Sequence, residues 1–324
     1  MTLKQKLILA AAQIVPLEKS TAYIPDPALK QSCTDFFNFK NALYNDMNKN
    51  PDTYFLRTLY SITSYNELLL YLLQAGSVVA EDVLLVDMRH FQQIIRNRGW
   101  RDGYMKMLNI LNRLGVVAST VFQGDALEIT SKWKMWRAAK ELVAALERYK
   151  NNKREQIKYF RYCEFRALDK SFRRSFDTLI ETLDESQVTV ATKLNDFALA
   201  NNLKPVKRVN FNNVQYNYKS ERIMYINTEN NVVNVTLYFG CGFDTLRDEV
   251  MKRDSNGELT KFLFLHILRC SSCNGLKNEP CGKFYDVDGE RVMLCMLFVK
   301  VDACEDWQLP YVMQLMDIEM YFWG

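Results

Sequence analysis

Four cysteines near the carboxyl end of the chain stand at a spacing that suits a metal ion. Cys270 and Cys273 are separated by two residues, Cys281 follows after seven more, and Cys295 follows after another thirteen. Structural zinc takes four soft ligands in a tetrahedron, and a two-residue gap lets two thiolates approach one ion from a tight turn. His266, four residues before Cys270, is an alternative ligand. The spacing predicts a structural zinc ion, with reduced, half-buried thiols as the alternative.

Other chemistry finds less support, at these cysteines and elsewhere in the chain. Redox-active Cys-x-x-Cys pairs stand at a helix N-terminus, where the dipole lowers the thiol pKa, whereas Cys270 follows the end of a predicted helix. Only His90 and His266 are available as the base of a Ser-His-Asp or Cys-His arrangement. The segment Gly240-Cys241-Gly242 lacks the further glycine or lysine of a phosphate-binding loop. An enzyme with its site in the C-terminal part is one alternative function.

The basic residues are concentrated in one segment. Fourteen of the 42 Lys and Arg lie between Lys132 and Arg174, together with five of the 38 Asp and Glu, whereas the remainder holds 28 basic and 33 acidic residues. The formal net charge of +4 therefore conceals a local excess of nine positive charges. Such a segment suits a polyanion such as nucleic acid, and the solvated face of a long helix is the alternative interpretation.

A helix predicted from Asp102 to Leu114 carries the side chains best suited to DNA contact. Its apolar residues recur at helical spacing, which leaves a polar face for solvent. Arg and Asn side chains can read base edges, and all of these donors can hold a phosphate. The candidate DNA-binding residues on this helix and just before it are Arg96, Arg98, Arg101, Lys106, Asn109 and Arg113.

The surroundings of this helix match a known pattern. Further helices are predicted before it, and two short β-type runs, residues 116–122 and 126–130, follow Gly115. The run from Met105 to Trp133, MKMLNILNRLGVVASTVFQGDALEITSKW, resembles the recognition helix and wing of winged-helix regulators. The resemblance covers about residues 55–135 and implies that the helix enters the major groove of DNA. Winged helices also serve as protein-interaction modules, which is a second alternative function.

The segments on either side of this unit are predicted to be helical. Two helices are expected in residues 1–50, and one or two long connecting helices in residues 132–186, with apolar side chains in a stripe. The stripe is expected to pack in a core or to form the seam of a homodimer. No run of eighteen apolar residues occurs, so neither a transmembrane helix nor a membrane partner is predicted.

The C-terminal part, residues 187–324, is predicted to be an α+β domain with a small antiparallel sheet. The turn residues Asp288-Gly289 predict a hairpin between strands at 283–287 and 290–301. The other predicted elements are a helix at 190–201, strands at 214–218, 222–227 and 232–239, helices at 243–252 and 258–268, and a closing helix at 309–322.

The C-terminal part also resembles an uncharacterised domain of Firmicutes-type bacterial proteins. In that domain, a Cys-x-x-Cys loop after an apolar helix is followed by a third cysteine, a hairpin strand, a fourth cysteine and a closing helix. The matching residues are Cys270, Cys273, Cys281, Gly289 and Cys295. The resemblance implies a fold and carries no activity.

These patterns predict a multidomain α+β chain in four parts: helices at 1–50, a winged-helix-like unit at 51–131, connecting helices at 132–186 and an α+β domain at 187–324. The cysteines form no disulfide framework and no export signal is recognised, so a cytoplasmic location is expected. The predicted function is that of a DNA-binding transcriptional regulator or accessory protein. Its C-terminal domain is expected to sense a small-molecule ligand of unknown kind or to bind a partner.

Overall fold

The computed structural model describes residues 14–54, 62–96, 103–120, 125–206, 211–228, 231–268, 283–287, 289–294 and 298–324. The chain divides into unit 1, residues 1–173, and unit 2, residues 174–324. Both units contain helices and antiparallel sheets, so the predicted α+β multidomain class is confirmed. The finer division into four segments stays a prediction. Within the described ranges, no helix combines the length and the apolar composition that crossing a bilayer requires.

Unit 1 is mainly helical. Its longest helix is capped by Asp26, which accepts hydrogen bonds from the backbone N–H groups of Ala28 and Leu29, and Pro27 occupies the first turn, where no N–H donor is needed. In chain order, the described elements are α1 (Leu17–Thr21), α2 (Pro27–Lys49), α3 (Pro51–Tyr54), α4 (Ile62–Ala75), β1 (Gly76–Ala80), β2 (Val83–Asp87), α5 (Met88–Ile95), α6 (Tyr104–Leu111), β3 (Val116–Thr120), β4 (Ala126–Ser131), α7 (Trp136–Ala145) and α8 (Lys153–Arg161).

The four strands that the structure describes in unit 1 form an antiparallel sheet in the order β1-β2-β4-β3. Alternate residues on the two central strands, among them Val86 and Leu127, are buried. The sequence analysis did not predict β1 or β2. β1 lies at the edge of the sheet and buries only Gly76 fully, so it lacks the alternation by which a half-buried strand is recognised.

The segment predicted to hold long connecting helices contains shorter ones. α7 ends at Ala145 in a 3-10 turn, and Asn152 caps α8 by accepting a hydrogen bond from the backbone N–H of Glu155. α8 is followed by Cys163, whose φ of 53° lies in the left-handed region. A polar cap and a left-handed residue each interrupt helical geometry, which explains the shorter lengths.

A lysine lies in the core of unit 1. Lys40 is fully buried and donates a hydrogen bond to Asn66 Oδ1, and its Nζ lies 5.1 Å and 4.3 Å from the ring centroids of Phe36 and Phe160. Asn66 in turn donates to the Tyr44 hydroxyl at 3.2 Å. Because burial disfavours the charged ammonium, the pKa of Lys40 is lowered from its ordinary value to about 7.

The described residues of unit 2 form two antiparallel sheets. In chain order, its described elements are α9 (Phe176–Ile180), α10 (Glu185–Ala200), β5 (Lys204–Pro205), β6 (Asn213–Tyr218), β7 (Glu221–Asn227), β8 (Asn234–Tyr238), α11 (Phe243–Arg253), α12 (Glu258–His266), β9 (Lys283–Val287), β10 (Glu290–Leu294), β11 (Phe298–Val301) and α13 (Leu309–Trp323). The larger sheet has the order β11-β8-β7-β6-β5, and β9 and β10 form the smaller one.

The larger sheet of unit 2 has two different faces. On one face, alternate residues such as Val235, Leu237 and Val299 are buried in a core that also contains Leu194 of α10 and Leu315 of α13. The residues between them point to the other face, and they are polar or aromatic. The apolar face therefore packs the sheet against α10 and α13. The opposite face, with its polar and aromatic side chains, lies outside this core.

The strand predicted at 290–301 consists of two strands in different sheets. β10 pairs with β9 across the predicted turn, with Glu290 opposite Val287. β11 pairs with β8 instead, with Phe298 opposite Tyr238. The apolar run continues through both strands, so the sequence pattern could not reveal the change of sheet.

Candidate nucleic-acid interface

Helix α6 has one face in the core of unit 1 and one face in solvent. Met107, Leu108 and Leu111 are buried, at the three- and four-residue spacing of a single helix face. Lys106 and Asn109 lie outside this buried stripe and are exposed. The structure therefore places these two predicted residues where a large ligand can reach them.

The other predicted residues of this site differ in their positions. Arg96 is exposed directly after α5, and Arg98 and Arg101 lie outside the described residues. The side chain of Arg113 is about half exposed, and its Nε lies 3.4 Å from Asp46 Oδ2, which makes an ion pair within unit 1. Sequence reasoning missed this pair, because the two residues are far apart in the chain.

The C-terminal end of α6 is fixed to the strands that follow. Residues 112–114 form a 3-10 turn, and Gly115 adopts a left-handed φ of 76°, which favours glycine. A Cβ atom at Gly115 would also lie 2.7 Å from Cδ of Lys132. The Lys132 N–H donates to the Gly115 carbonyl at 3.0 Å, and Trp133 Nε1 donates to the Leu114 carbonyl at 3.0 Å. These contacts set the orientation of α6 beside β3 and β4.

The hairpin of β3 and β4 is tied to α5 by a bidentate ion pair. Asp125, just before β4, accepts from Arg89 Nη2 at 2.5 Å and from Arg89 Nε at 3.1 Å. Its backbone carbonyl accepts from the Met88 N–H at 3.0 Å. Bidentate guanidinium–carboxylate pairs restrict geometry as well as distance, so the end of the hairpin at which β3 connects to β4 is held against α5.

The elements around α6 follow one another as a helix, two antiparallel strands, two helices and a hairpin. α4 leads through β1 and β2 to α5, and α6 is followed by β3 and β4. β4 lies between β2 and β3 in the sheet. The exposed face of α6 is thus presented next to a two-stranded hairpin.

Part of the positive charge between Lys132 and Arg174 is already used inside unit 1. Lys134 forms an ion pair with Glu81 at 2.8 Å, and Arg137 forms one with Asp26 at 2.6 Å. The exposed basic residues of the segment include Lys132, Lys150, Lys153, Arg154 and Lys170. The excess charge is therefore spread over structural pairs and exposed side chains, which weakens the interpretation of the whole segment as one polyanion-binding surface.

The predicted zinc ligands Cys270, Cys273, Cys281 and Cys295 lie outside the described residues. In the part of the chain that the structure describes, no three His, Cys, Asp or Glu side chains converge at a position that could hold a metal ion. The zinc site therefore stays a prediction from the cysteine spacing.

His266, the alternative ligand, is described and has an informative hydrogen-bond pattern. Its Nδ1 lies 3.3 Å from the Lys300 carbonyl oxygen, which can only accept, so Nδ1 carries the proton. Its Nε2 is buried and has no hydrogen-bond partner among the described residues. Desolvation lowers the pKa of His266, so the neutral ring is favoured. A neutral histidine held through Nδ1 is in the state in which Nε2 binds metals.

Among the described cysteines, Cys241 is partly exposed and Cys33, Cys163 and Cys304 are buried, all as free thiols. The Cys241 Sγ lies 3.7 Å from Oε2 of Glu319, a carboxyl group that is almost fully buried. Desolvation and the nearby carboxylate raise the pKa of Cys241 to about 12, so the thiol is a poor nucleophile near neutral pH.

Glu319 joins the loop before α11 to the closing helix. Its Oε1 accepts from the Gly240 N–H at 2.8 Å and from Trp323 Nε1 at 2.5 Å. A Cβ atom at Gly240 would lie only 2.4 Å from the Trp323 ring. The segment Gly240-Cys241-Gly242, which the sequence analysis considered as a phosphate-binding loop, therefore packs against α13.

Comparisons with known proteins assign no family and no structural relative to the chain. Protein-family models, curated proteins and solved structures all return no match to the chain. The winged-helix and four-cysteine resemblances stay predictions. Function is inferred from the residues and their geometry.

Proposed function

We propose that unit 1 binds double-stranded DNA, with α6 in the major groove. The observation that carries the proposal is the exposed face of α6, where Lys106 and Asn109 point away from the buried stripe of Met107, Leu108 and Leu111. The major groove is wide enough to admit an α-helix. The neighbouring hairpin and the order of elements around α6 support a winged-helix-like mode of binding.

The side chains on this surface offer both kinds of DNA contact. The Asn109 amide has a donor and an acceptor, which together match N6 and N7 of adenine. The Lys106 ammonium holds a phosphate or donates to the acceptors of guanine. Lys132, exposed beside Gly115 at the end of α6, adds a phosphate contact.

A regulatory or accessory role accords with a chain in which a second unit is separate from the DNA-binding one. In this proposal, unit 2 binds a ligand or a partner. A homodimer would present two copies of α6 to half-sites about 34 Å apart, one turn of the double helix. A footprint with two protected half-sites at that spacing would support the dimer.

A gel-shift assay with a mixed-sequence duplex at low salt tests the DNA-binding proposal. The wild-type chain is expected to shift the duplex. The double variant K106A/N109A is expected to bind more weakly, because it removes an ammonium that can hold a phosphate and an amide that can contact a base edge. The matched control K30A/N38A removes the same two side-chain types from exposed positions on α2.

Two results of that assay would overturn the proposal. One is the absence of any shift by the wild-type chain at low salt. The other is an equal loss of binding in K106A/N109A and in K30A/N38A, which would indicate non-specific charge effects. Co-purification of a protein partner in the absence of DNA binding would favour the protein-interaction alternative.

We also propose that Cys270, Cys273, Cys281 and Cys295 hold one structural zinc ion, with His266 as the alternative fourth ligand. The cysteine spacing and the free, buried Nε2 of His266 support this proposal. A closed tetrahedral site would tie the segment 269–282, which follows α12, to the β9–β10 hairpin. Metal content measured on the purified chain tests it, as set out in the Discussion.

A further inference from the structure

The outward face of the larger sheet in unit 2 carries a row of aromatic rings. Tyr225 on β7, Tyr238 on β8 and Phe298 on β11 lie opposite the buried core residues, and each is partly exposed. Phe298 is directly across from Tyr238, and Tyr225 lies on the next strand. The surface formed by Gln215, Arg222, Tyr225, Tyr238, Phe298 and Lys300 is called the aromatic face.

The members of the aromatic face hold one another in place. The rings of Tyr238 and Phe298 meet edge to face, with centroids 4.7 Å apart, and those of Tyr225 and Tyr238 are tilted at 5.4 Å. The Tyr225 hydroxyl donates to Gln215 Oε1 at 2.5 Å. Every described ring contact of these three aromatic residues is within the face. The surface is therefore ordered before any ligand binds.

The charge of the aromatic face is positive. Arg222 is exposed, and its Cζ lies 4.8 Å from the Tyr238 centroid and 5.5 Å from the Tyr225 centroid. Lys300 is exposed on β11 and pairs at 2.8 Å with Asp302, which follows the strand. The β6–β7 register shifts between Tyr216 and Asn217, so Arg222 pairs with Asn217 and lies on the same face as Tyr225. With this shift, the outward positions of β6, β7, β8 and β11 hold no Asp or Glu. An anionic ligand would thus meet no acidic side chain among the rings.

We propose that the aromatic face binds single-stranded nucleic acid. Unpaired bases stack on aromatic side chains, arginine adds a cation–π contribution, and the flanking cations neutralise phosphates. A duplex keeps its base faces within its own stack, so it cannot use such a platform. A neutral sugar could use the rings, but it would gain nothing from the two cations. The ligand differs from the duplex proposed for unit 1, so either proposal can fail alone.

Fluorescence anisotropy of a labelled fifteen-residue oligothymidylate with the full chain tests this inference. Y238A is expected to weaken binding about tenfold or more, whereas Y238F, which keeps the ring, should bind like the wild type. R222A should lower the slope of log affinity against log salt by about 0.7, the value for one phosphate of a single strand. Y321A, an exposed tyrosine of α13 in the same unit, is the matched control.

Several results of that experiment would overturn the inference. They are no binding of the oligothymidylate by the wild type at low salt, equal binding by Y238A and wild type, or tighter binding of a neutral oligosaccharide. A loss of oligothymidylate binding in K106A/N109A would assign the binding to α6 instead. Because Y238F retains the ring, a loss in both Y238A and Y238F would indicate a folding defect or a role of the hydroxyl, and the stacking role would be rejected.

Discussion

Arg113, in the turn that ends α6, and Asp46, on α2, form an ion pair in which Nε and Oδ2 are 3.4 Å apart. Asp46 also accepts a 2.5 Å hydrogen bond from the Tyr54 hydroxyl and a 2.8 Å hydrogen bond from Asn50 Nδ2. The carboxylate therefore anchors the end of α6 to α2. It also places a negative charge beside the surface proposed to meet DNA.

Replacing Asp46 with Asn should raise the affinity for duplex DNA about two- to fivefold at low salt. The substitution removes a negative charge close to the interface and releases the Arg113 guanidinium for phosphate contact. Asp177→Asn, which changes the net charge equally on an exposed residue of unit 2, is the control. Anisotropy titrations measure this affinity. A lower affinity for Asp46→Asn than for the wild type, or an equal increase in affinity for both variants, would place Arg113 away from the DNA.

Lys40 should make the stability of unit 1 depend on pH. Its folded pKa is about 7, below the ordinary pKa of about 10.4, so between these values the unfolded chain binds a proton that the folded chain lacks. Stability should therefore rise as pH rises from about 7 to about 10, by up to about 1.4 kcal/mol per pH unit. Below about pH 7 both states are protonated, and this contribution levels off.

The substitution Lys40→Met should remove that dependence and stabilise the fold near neutral pH. Denaturant unfolding of wild type and variant from pH 6.5 to pH 9.5 measures the difference. Cys163, close to Lys40, has its pKa raised to about 12 and does not titrate in this range. Lys30→Met, at an exposed site on α2, is the control. Parallel pH profiles for wild type and Lys40→Met would show that Lys40 is charged in the folded state.

Gly240→Ala should destabilise unit 2, and Gly242→Ala should not. A Cβ at Gly240 would lie 2.4 Å from the Trp323 ring, which is held by its hydrogen bond to Glu319. At Gly242, by contrast, nothing lies within 4 Å of the added atom. Overpacking of this kind lowers the free energy of unfolding by about 1–3 kcal/mol. Equal unfolding midpoints for the two variants would mean that the loop and α13 do not pack as described.

Zinc analysis of the purified chain should give about one ion per chain, and Cys270→Ser should reduce that content. Four-ligand zinc sites lose affinity when a thiolate is replaced by a hydroxyl, since the softer ligand suits the ion better. Cys241→Ser, at a partly exposed thiol beside Glu319, should leave the zinc content unchanged. If the wild-type chain contains no zinc after purification without chelators, the cysteines are reduced thiols.

Elements with complete local signals were predicted well. The sequence analysis placed helices at 243–252 and 309–322, and the structure confirms them as α11 and α13 to within one residue at each end. Their apolar spacing and end signals lie within the segments themselves. The exposed face of α6 was predictable for the same reason, because its apolar residues recur at helical spacing and leave Lys106 and Asn109 outside the buried stripe.

Features that depend on distant parts of the chain were not predictable. Arg113 and Asp46 form an ion pair although they are 67 positions apart in the chain, and no local sequence pattern predicts such a contact. Tyr225, Tyr238 and Phe298 each show strand alternation, but their convergence requires the order β11-β8-β7, in which β11 pairs with a strand 60 residues earlier. Long-range pairing of this kind is decided by the packing of the whole unit.

Site-specific photo-crosslinking tests the central claim most directly. A benzophenone amino acid in place of Asn109 on α6, and the same group in place of Asn38 on α2 as control, would be irradiated with a bound DNA duplex. The proposal predicts a crosslink to DNA from position 109 and little or none from position 38. Duplex binding without a crosslink from position 109, or equal crosslinks from both positions, would show that α6 is not the DNA-contacting helix.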